Sequence, residues 1–589
     1  MKKFFTLIFC LVSLGASAQQ VNGGFDETWV NCVPWTSKNN TSTVGTQPVD
    51  WCVSNVYANV IIESTINVAS ESTGYNGSSK AVTLTNKQNS LMKSQYIPAY
   101  MTLGTAWNTA TVSGLISITI SKQDGGCFGG KPFKNKPDGI KFYYQRSHGT
   151  ADTDEPAVVT AYLWKGTWTQ KSVPGNVGYS NSISSTTMTN RDRNILGMEP
   201  TATGGTVSKT DDAKLLAYLK EGDNKYVSIM GDASEWTEFT YNFTYDDTES
   251  EPEMINIIIA ANDYFGGATA VGNENSITVD NVELIYNSSL SKLEFDGKTI
   301  PGFAKDTYEY TIDGFFTEGC IEFTKDCVGG KAEGYFYPSS NSYIITVKGD
   351  DYDSNPSNTH TYTIKFTQVL IEDGVTDITK MEGLSDMTFI LKRNFKAGWN
   401  TICLPFGSNK SLLGDGAKVY RLTASYTNSD VITFTNNGES GPLLANTPYL
   451  IYLPTAISNI VYTDRSISDT KIKTITHNNW IFAGNYTQNM SMEGKWGVVN
   501  EGGKVRKGGS SSTLKGTRAY FTNKNNTAGV NEMRFIIDGE ETNITEIDGE
   551  PLSYDVYNLN GMLVRKNATD LNGLNKGIYI VNGKKYIVK

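Results

Sequence analysis

The sequence predicts an all-β protein made of several domains. With 589 residues the chain is too long for a single hydrophobic core. Thr, Asn, Gly and Tyr are abundant, with 56 Gly and 32 Tyr, and this composition favours strands and turns over helices. Aromatic residues make up 11% of the chain, which is typical of folded rather than disordered regions.

The N-terminus predicts export. Lys2 and Lys3 precede an apolar run over residues 4–14, and Ala16-Ser17-Ala18 follows, so residues 1–18 have the three parts of a secretory signal peptide. We therefore expect a secreted or outer-surface protein. After residue 18 no apolar run approaches the roughly 20 residues of a membrane-spanning helix, so we expect no transmembrane span.

The charge balance excludes some partners. Removal of Lys2 and Lys3 with the signal changes the formal net charge from −10 to −12. An acidic surface disfavours nucleic acid and anionic lipid, and it is compatible with neutral glycans.

Alternation of apolar and polar residues predicts strands in the N-terminal half. Residues 238–245 alternate with a period of two, as in a half-buried strand. Residues 255–261 are almost continuously apolar, which fits a strand covered on both faces. Residues 141–144 and 157–164 have a similar pattern.

The strand over residues 276–286 contains a change of parity. Its apolar residues occupy odd positions up to Val279 and even positions from Val282 onward. A shift of one residue would turn the strand inside out, so we predict a β-bulge near Asp280 and Asn281.

One short helix is predicted over residues 211–222. Two acidic residues stand at its start, Leu215, Tyr218 and Leu219 share one helical face, and Gly222 provides a stop signal. Helix is otherwise scarce in the sequence.

These patterns divide the exported chain into four parts. The first domain covers residues 19–287, and a small β-sandwich with several short strands covers residues 288–370. A third all-β domain without an assigned role covers residues 371–545. A small β domain of residues 546–589 ends the chain.

Six cysteines remain after the signal, and an even number in an exported chain permits disulfides. The pairs that are local in sequence are Cys32 with Cys52 and Cys320 with Cys327. Cys403 lies in an apolar segment and is expected to be a buried small hydrophobe.

Several landmarks of the first domain occur in a recognisable order. They are the segments 22–26, 48–51, 125–133, 236–239 and 279–282. In this order they resemble the family called putative carbohydrate metabolism domain. The resemblance implies a jelly-roll β-sandwich similar to carbohydrate-binding modules, and no agreed activity accompanies it.

Two further resemblances concern the rest of the chain. The domain of residues 288–370 resembles cadherin-like sandwiches, which implies a spacer. Residues 556–561, 576–580 and 588–589 resemble the C-terminal sorting domain of the type IX secretion system. That resemblance implies export through this system and possible attachment at the outer surface.

The best sequence candidates for glycan binding are Trp164 and Trp168. Glycan binding needs aromatic faces for stacking on sugar rings, with polar groups at the edges. Residues 165–167 have the length of a hairpin loop, which would place the two indoles across from each other. The alternative is an aromatic pair that only supports the hairpin. Trp29 and Trp51 are expected in the core.

A structural calcium ion is a second hypothesis. Many jelly-roll modules hold calcium between their first and last strands, and Asp26 and Asp280 occupy the corresponding positions. Calcium requires six to eight oxygen ligands, and a bulge can free a backbone carbonyl to supply one. The alternative is that both are ordinary turn carboxylates.

The sequence favours a non-catalytic role without excluding catalysis. A glycosidase needs two carboxylates across the scissile bond. The acidic runs 152–155 and 246–251 are typical of solvated loops, and His148 is expected at the surface. We therefore predict an exported glycan-binding protein. The alternatives are a glycoside hydrolase built on the jelly roll and a protein-binding adhesin or structural surface component.

Overall fold

The computed structural model describes residues 21–36, 40–59, 63–77, 80–89, 92–113, 119–149, 155–173, 176–177, 186–198, 206–266, 271–425, 431–437, 441–498, 505–524, 534–538, 540–541, 554–568, 571, 573–581 and 584–588. The predicted signal peptide, residues 1–18, lies outside this set. No described helix has the length and apolarity needed to cross a membrane.

The chain divides into two compact units. The first unit contains residues up to Tyr308 together with Ile321–Glu333 and Ile345–Thr361. The second unit contains Glu309–Cys320, Gly334–Ile344 and the residues from Tyr362 onward. The four domain boundaries predicted from the sequence stay predictions.

The expectation of an all-β, multidomain fold is confirmed. In the described part of the chain the only α-helix is the five-residue segment Asp192–Leu196, here called α1. Short 3-10 turns occur at Tyr75–Gly77, Ile378–Met381 and Lys410–Leu413. The remaining regular structure consists of strands.

A large antiparallel sheet organises the first unit. Its twelve strands are β1 (Cys52–Val53), β2 (Ala69–Ser72), β3 (Ala81–Thr85), β4 (Tyr100–Thr102), β5 (Lys131–Pro132), β6 (Gly139–Ser147), β7 (Ala157–Lys165), β8 (Lys214–Leu219), β9 (Val227–Ile229), β10 (Ala233–Tyr245), β11 (Met254–Ala260) and β12 (Ser276–Ile285). The order across the sheet is β1-β4-β11-β7-β8-β10-β6-β12-β3-β2, with β5 on β11 and β9 on β7.

The main core of the first unit lies between the two halves of this sheet. One half, with β7 and β11, contributes Ile255, Ile257 and Ile259, and the other half, with β6 and β12, contributes Phe142 and Val279. Trp29 and Trp51 belong to this core, as the sequence predicted. Since the two halves share one apolar interior, the architecture is a β-sandwich.

A second apolar layer covers the outer side of β4, β7, β8 and β11. We call it the outer core. Ile258 and Ala260 of β11 point into it, so β11 is buried on both faces, as predicted. The elements that cover the sheet here contribute Cys127, Trp168, Ile195, Leu196 and Tyr264.

Shorter strands complete the first unit. They are Val30–Asn31, Thr46–Gln47, Val56–Asn59, Glu63–Ile66, Lys87–Asn89, Met92–Ile97, Thr105–Ser113, Thr119–Phe128, Trp168–Val173, Asn176–Val177, Thr186–Thr189, Val207–Lys209, Leu290–Phe295, Lys298–Thr299 and Ile321–Lys325.

The predicted bulge in β12 is confirmed. Lys141 of β6 pairs with Glu283, whereas Tyr143 pairs with Asp280, so one extra residue is inserted in β12. Asn281 adopts a left-handed φ of 53° at this point. The insertion keeps the apolar side chains on both sides of the bulge directed into the core.

The prediction of a helix over residues 211–222 is wrong, because this segment contains the strand β8. Ala217 and Leu219 enter the main core, and Tyr218 enters the outer core. A short apolar run buried on both faces cannot be distinguished from a helix by its periodicity alone. Gly222, with φ of 58°, turns the chain after the strand.

The predicted disulfides are not formed. Cys32, Cys52, Cys320 and Cys327 are all free thiols. Burial is the largest cause that raises the pKa of the Cys32 thiol to about 12. Cys403 is fully buried, which confirms its assignment as a small core residue.

Asp138 links the sandwich to two loops of the first unit. Its carboxylate accepts hydrogen bonds from the backbone N–H groups of Val328 and Asn287, both at 2.7 Å. Burial is the largest effect on this group, and it raises the pKa of Asp138 from 3.8 to about 6. Between these two pKa values, the folded protein therefore keeps a proton on Asp138 that the unfolded chain has lost.

We expect Asp138 to make the first unit less stable as the pH rises from about 4 to about 6. The raised pKa favours the protonated folded state, so this contribution is complete below pH 4 and is lost above pH 6, with a size of up to about 2–3 kcal/mol. Urea unfolding across this pH range, compared between the wild type and Asp138→Asn, measures it. Parallel profiles for the two proteins would contradict the prediction.

The middle of the chain forms a four-stranded sheet. Its strands, in the order of the sheet, are Glu309–Ile312, Thr359–Phe366, Ser342–Lys348 and Lys331–Tyr337. The first two of these strands pair in parallel.

The second unit contains several further sheets. The first is three-stranded and consists of Gln368–Glu372, Met387–Phe395 and Ile457–Arg465. The second is six-stranded and consists of Gly398–Ile402, Tyr449–Leu453, Lys418–Ser425, Val431–Asn436, Arg534–Ile537 and Glu540–Glu541. The third is five-stranded and consists of Ile475–His477, Trp480–Asn485, Arg518–Asn523, Trp496–Val498 and Val505–Lys507. Met490–Ser491 pairs with Thr513–Leu514, and the tail sheet contains Leu563–Ala568, Tyr554–Asn558, Gly577–Val581 and Lys584–Val588.

Candidate functional site

The outer side of β6 and β10 carries a group of aromatic and polar side chains. We call Tyr75, Tyr143, Trp236, Glu238 and Thr240 the exposed face. Glu238 and Thr240 are exposed, and the three aromatic side chains are half-buried. The outer core lies on strands of the other half of the sheet, so it does not cover this face.

Strand alternation places these side chains on the solvent side. Phe142 on β6 and Phe239 on β10 are buried in the main core. Because neighbouring residues of a strand point to opposite faces, Tyr143, Glu238 and Thr240 point outward. Tyr143 pairs directly with Glu238.

A bulge in β10 precedes this pair and presents Trp236. Tyr144 pairs with Thr237 and Arg146 pairs with Ala233, so one residue of β6 faces three residues of β10. That residue, Gln145, donates from its side-chain amide to the carbonyl of Ser234 at 2.7 Å. Bulges of this kind redirect side chains, and Trp236 lies within the inserted segment.

Tyr75 reaches the exposed face from the 3-10 turn that follows β2. Its backbone N–H donates to Asp280 Oδ2 at 2.7 Å, and Asn281 N–H donates to Asp280 Oδ1 at 2.7 Å. Asp280 is fully buried. The carboxylate of the bulge in β12 therefore fixes the turn that carries Tyr75.

The three aromatic rings form a corner, which we call the aromatic corner. Tyr75 stacks on Tyr143 with ring centroids 3.7 Å apart and planes 6° apart. Trp236 stands nearly perpendicular to Tyr75, with centroids 6.1 Å apart and planes at 77°. The perpendicular arrangement of Trp236 and Tyr75 is favourable for aromatic quadrupoles, and the half-buried rings leave apolar surface for a ligand.

Hydrogen-bonding groups lie directly beside the aromatic corner. Tyr143 OH donates to Glu238 Oε2 at 3.0 Å, and Thr240 Oγ1 donates to Glu238 Oε1 at 2.8 Å. The hydroxyl of Tyr75, followed by the carboxylate of Glu238, raises the pKa of Tyr143 to about 12. The hydrogen bonds from Thr240 and then Tyr143 lower the pKa of Glu238. Glu238 is therefore a stable acceptor at neutral pH.

Trp164 and Trp168 do not lie at this site. Their side chains are 0% and 7% exposed and belong to the outer core. The predicted hairpin between them is not formed, because β7 pairs with β8, β9 and β11, whereas Trp168–Val173 pairs with two other short strands. Neither indole presents a face to solvent, and both pack in the outer core. The alternative of an aromatic pair that supports the hairpin is wrong as well, because the two strands do not pair.

The calcium site at Asp26 and Asp280 stays a prediction. Asp26 is exposed, and both carboxylate oxygens of Asp280 accept backbone N–H groups, from Tyr75 and Asn281. Calcium requires six to eight oxygen ligands. Within the described ranges no group of three or more His, Cys, Asp or Glu residues could hold a metal ion.

Two expectations about polar loops were wrong. His148 is not a surface residue: its side chain is only 7% exposed, and Nδ1 lies 2.6 Å from Asp232 Oδ1. This hydrogen bond is the largest cause that lowers the pKa of Asp232. Glu155, at the end of an acidic run expected to be solvated, is 5% exposed and accepts hydrogen bonds from Gly272 N and Asn275 Nδ2. The rest of that run, residues 152–154, lies outside the described residues.

The sequence contains one signal for the exposed face. Trp236, Glu238 and Thr240 share one parity of a strand whose other parity is apolar from Phe239 onward. An aromatic residue on the polar side of an alternating strand is a candidate for binding. Tyr75 had no such signal, because its place on the face depends on the distant residue Asp280.

Comparisons with known proteins give little further information. No family model matches the chain, and no curated protein matches it. The chain is similar to a crystal structure of a putative glycoside hydrolase from Bacteroides thetaiotaomicron, with 13% sequence identity and a TM-score of 0.25. The match covers 45% of this chain and 71% of that chain. A likeness of this degree carries no argument about function, and the family resemblances stay predictions.

Proposed function

We propose that the protein binds carbohydrate through the exposed face of its first unit, and that it does so outside the cell without cleaving the glycan. The observation that carries the proposal is the aromatic corner beside the Glu238 carboxylate. Sugar rings offer apolar C–H faces and peripheral hydroxyls, and this arrangement offers a partner for each. The predicted signal peptide and sorting-like tail support an extracellular role.

The lowered pKa of Glu238 argues against a role as the general acid of a glycosidase. A glycosidase needs a general acid whose pKa is raised, so that it carries a proton at working pH. The hydrogen bonds to Glu238 lower its pKa instead. Glu238 therefore suits the role of an acceptor for sugar hydroxyls.

The acidic character of the chain favours a neutral ligand. The formal net charge is −10, and the exposed face contributes the carboxylate of Glu238. A glycan with uronic acid or sulfate groups would be repelled from this carboxylate. We infer that the ligand is uncharged where it contacts the aromatic corner.

We expect Trp236→Ala to weaken glycan binding roughly 10- to 100-fold. Burying one aromatic side chain contributes about 1.5–3 kcal/mol, which corresponds to this range. Affinity gel electrophoresis of the full chain against cellulose derivatives, xylan, mannan and β-glucan measures the effect. Tyr335→Ala is the matched control, because Tyr335 is an exposed aromatic residue, at 60%, outside the exposed face.

Three outcomes would overturn parts of this proposal. Unchanged binding in both Trp236→Ala and Tyr75→Ala would reject the exposed face as the site. Failure to bind any polysaccharide would favour the protein-binding adhesin. Release of reducing sugar that is abolished in Glu238→Gln would establish hydrolysis at this face.

A further inference from the structure

The residues that precede Trp236 in β10 and in the turn before it are largely exposed. We call residues 231–236 the tryptophan segment. Its exposed residues are Gly231, Asp232, Ser234 and Glu235, and Trp236 is half-buried. The segment also departs from regular strand pairing, because one residue of β6 faces three residues of β10. Neither burial nor the ladder of backbone hydrogen bonds fixes the indole by itself, so its position depends on side-chain contacts.

Two successive side chains of β6 hold the tryptophan segment. Gln145 Nε2 donates a hydrogen bond to the carbonyl of Ser234 at 2.7 Å. Arg146 Nη1 donates to the carbonyl of Gly231 at 2.7 Å. Arg146 is itself 3% exposed, and its Nη2 donates to the carbonyl of Glu155, so the guanidinium is a fixed anchor.

Asp232 and His148 form a third contact. The backbone N–H of His148 donates to Asp232 Oδ1 at 2.8 Å, and His148 Nδ1 lies 2.6 Å from the same oxygen. The hydrogen bond from the His148 side chain is the largest cause that lowers the pKa of Asp232. Because the carboxylate is ionised at neutral pH, it can only accept, and Nδ1 carries the donated proton. The residue that follows β6 therefore holds the tryptophan segment by two further hydrogen bonds.

The same strand carries another ring of the aromatic corner. Tyr143 of β6 stacks on Tyr75, and Trp236 stands against Tyr75 with ring centroids 6.1 Å apart. Gln145 lies two residues beyond Tyr143 on this strand. The contacts at the end of β6 therefore set the position of the indole relative to the other two rings. Such positions matter, because the groups of a binding site have to be held within about 0.5 Å of their productive geometry.

We propose that Gln145 and Asp232 are positioning residues for Trp236, and that they set the affinity of the exposed face for glycan without touching the ligand. This inference rests on the proposed function. Both residues stabilise one conformation of the tryptophan segment, so the indole is oriented before the ligand arrives. A site that is ordered in advance does not spend binding free energy on ordering its side chains.

Isothermal titration calorimetry of the full chain with cellohexaose, xylohexaose and mannohexaose tests the proposal. Gln145→Ala and Asp232→Ala should each weaken hexasaccharide binding roughly 3- to 10-fold, which corresponds to the loss of about one hydrogen bond. Asp232→Asn keeps an oxygen that can accept from His148, so it should bind more tightly than Asp232→Ala. Neither Gln145 nor Asp232 is buried, so near-UV circular dichroism should show that the variants stay folded.

A double-mutant cycle distinguishes positioning from direct contact with the ligand. In the Trp236→Ala background, Gln145→Ala and Asp232→Ala should cause no further loss of affinity, because the group that they position is absent. Ser147→Ala is the matched control and should bind as the wild type does. Ser147 lies at the same end of β6, and its hydroxyl contacts Ser276 at 3.1 Å rather than the tryptophan segment.

The outcomes separate this inference from the proposed function. Wild-type affinity in both single variants, or additive losses in the double variants, would show that the two residues do not act through Trp236. Trp236→Ala should still weaken binding in that case. A loss in Asp232→Asn as large as that in Asp232→Ala would contradict the hydrogen-bonding role of Asp232. Unchanged binding in Trp236→Ala would overturn the proposed function, and this inference with it.

Discussion

Replacing Asp192 by alanine should lower the free energy of unfolding of the first unit by about 3–5 kcal/mol. Asp192 is fully buried at the start of α1. Its Oδ2 accepts the hydroxyl hydrogen bond of Tyr264 at 2.6 Å, and its Oδ1 accepts the backbone N–H of Arg193 at 2.8 Å. Removal of the carboxylate leaves these buried donors without their acceptor.

The charges around Asp192 increase the expected loss of stability in Asp192→Ala. Burial raises the pKa of Asp192, and the guanidinium groups of Arg191 and Arg193 act in the opposite direction. Arg191 is 0% exposed and Arg193 is 8% exposed. Without Asp192 the two buried cations lose a nearby anion, and an uncompensated buried charge is more costly than the pair.

Asp192→Asn is the matched control for this prediction. The amide keeps the size of the side chain and one oxygen that can accept from Tyr264, so it should lose less stability than Asp192→Ala. Urea denaturation of the full chain, followed by near-UV circular dichroism, measures both variants. A midpoint for Asp192→Ala within error of the wild type would contradict the assignment of this network as structural.

Trp164→Ala should also destabilise the first unit strongly, by about 3–5 kcal/mol. The indole is fully buried in the outer core, 5.3 Å from the ring of Tyr162 between centroids. A Cβ added to Gly130 would lie 2.6 Å from the ring, which indicates close packing. Truncation therefore leaves a large cavity that the surrounding sheet cannot close.

A comparison of tryptophan variants separates packing from binding. Trp164→Phe keeps most of the ring volume, so it should fold and bind glycan as the wild type does. Trp236→Ala, at a half-buried position, should cost far less stability and should weaken glycan binding. Thermal unfolding and affinity electrophoresis on the same proteins measure both properties. A stable Trp164→Phe variant that fails to bind would instead support Trp164 as a ligand contact.

The strands of the N-terminal half could be predicted because alternation and burial follow directly from residue type. The run over residues 255–261 and the alternation over residues 238–245 appear in the structure as β11 and β10. The bulge at Asn281 was also predictable, because only an inserted residue keeps both halves of β12 facing the core.

The sequence predictions were wrong at positions whose conformation or exposure depends on a neighbouring element of the fold. The apolar run of β8 is compatible with a helix until β7 and β10 flank it on either side. Trp164 and Trp168 have the composition of a sugar platform, but the elements of the outer core cover them. Exposure is a property of the packed layers, and no local pattern specifies which layer lies above a strand.

By itself the sequence determined the all-β class, the bulge in β12 and the burial of Trp29 and Trp51, since these follow from local periodicity and side-chain size. Only the tertiary structure decided which aromatic residues reach solvent together. Tyr75 and Tyr143 lie 68 positions apart in the sequence, and they stack because Asp280, a further 137 positions along, fixes the turn that carries Tyr75. Contacts of such long separation depend on strand order, which residue type alone does not specify.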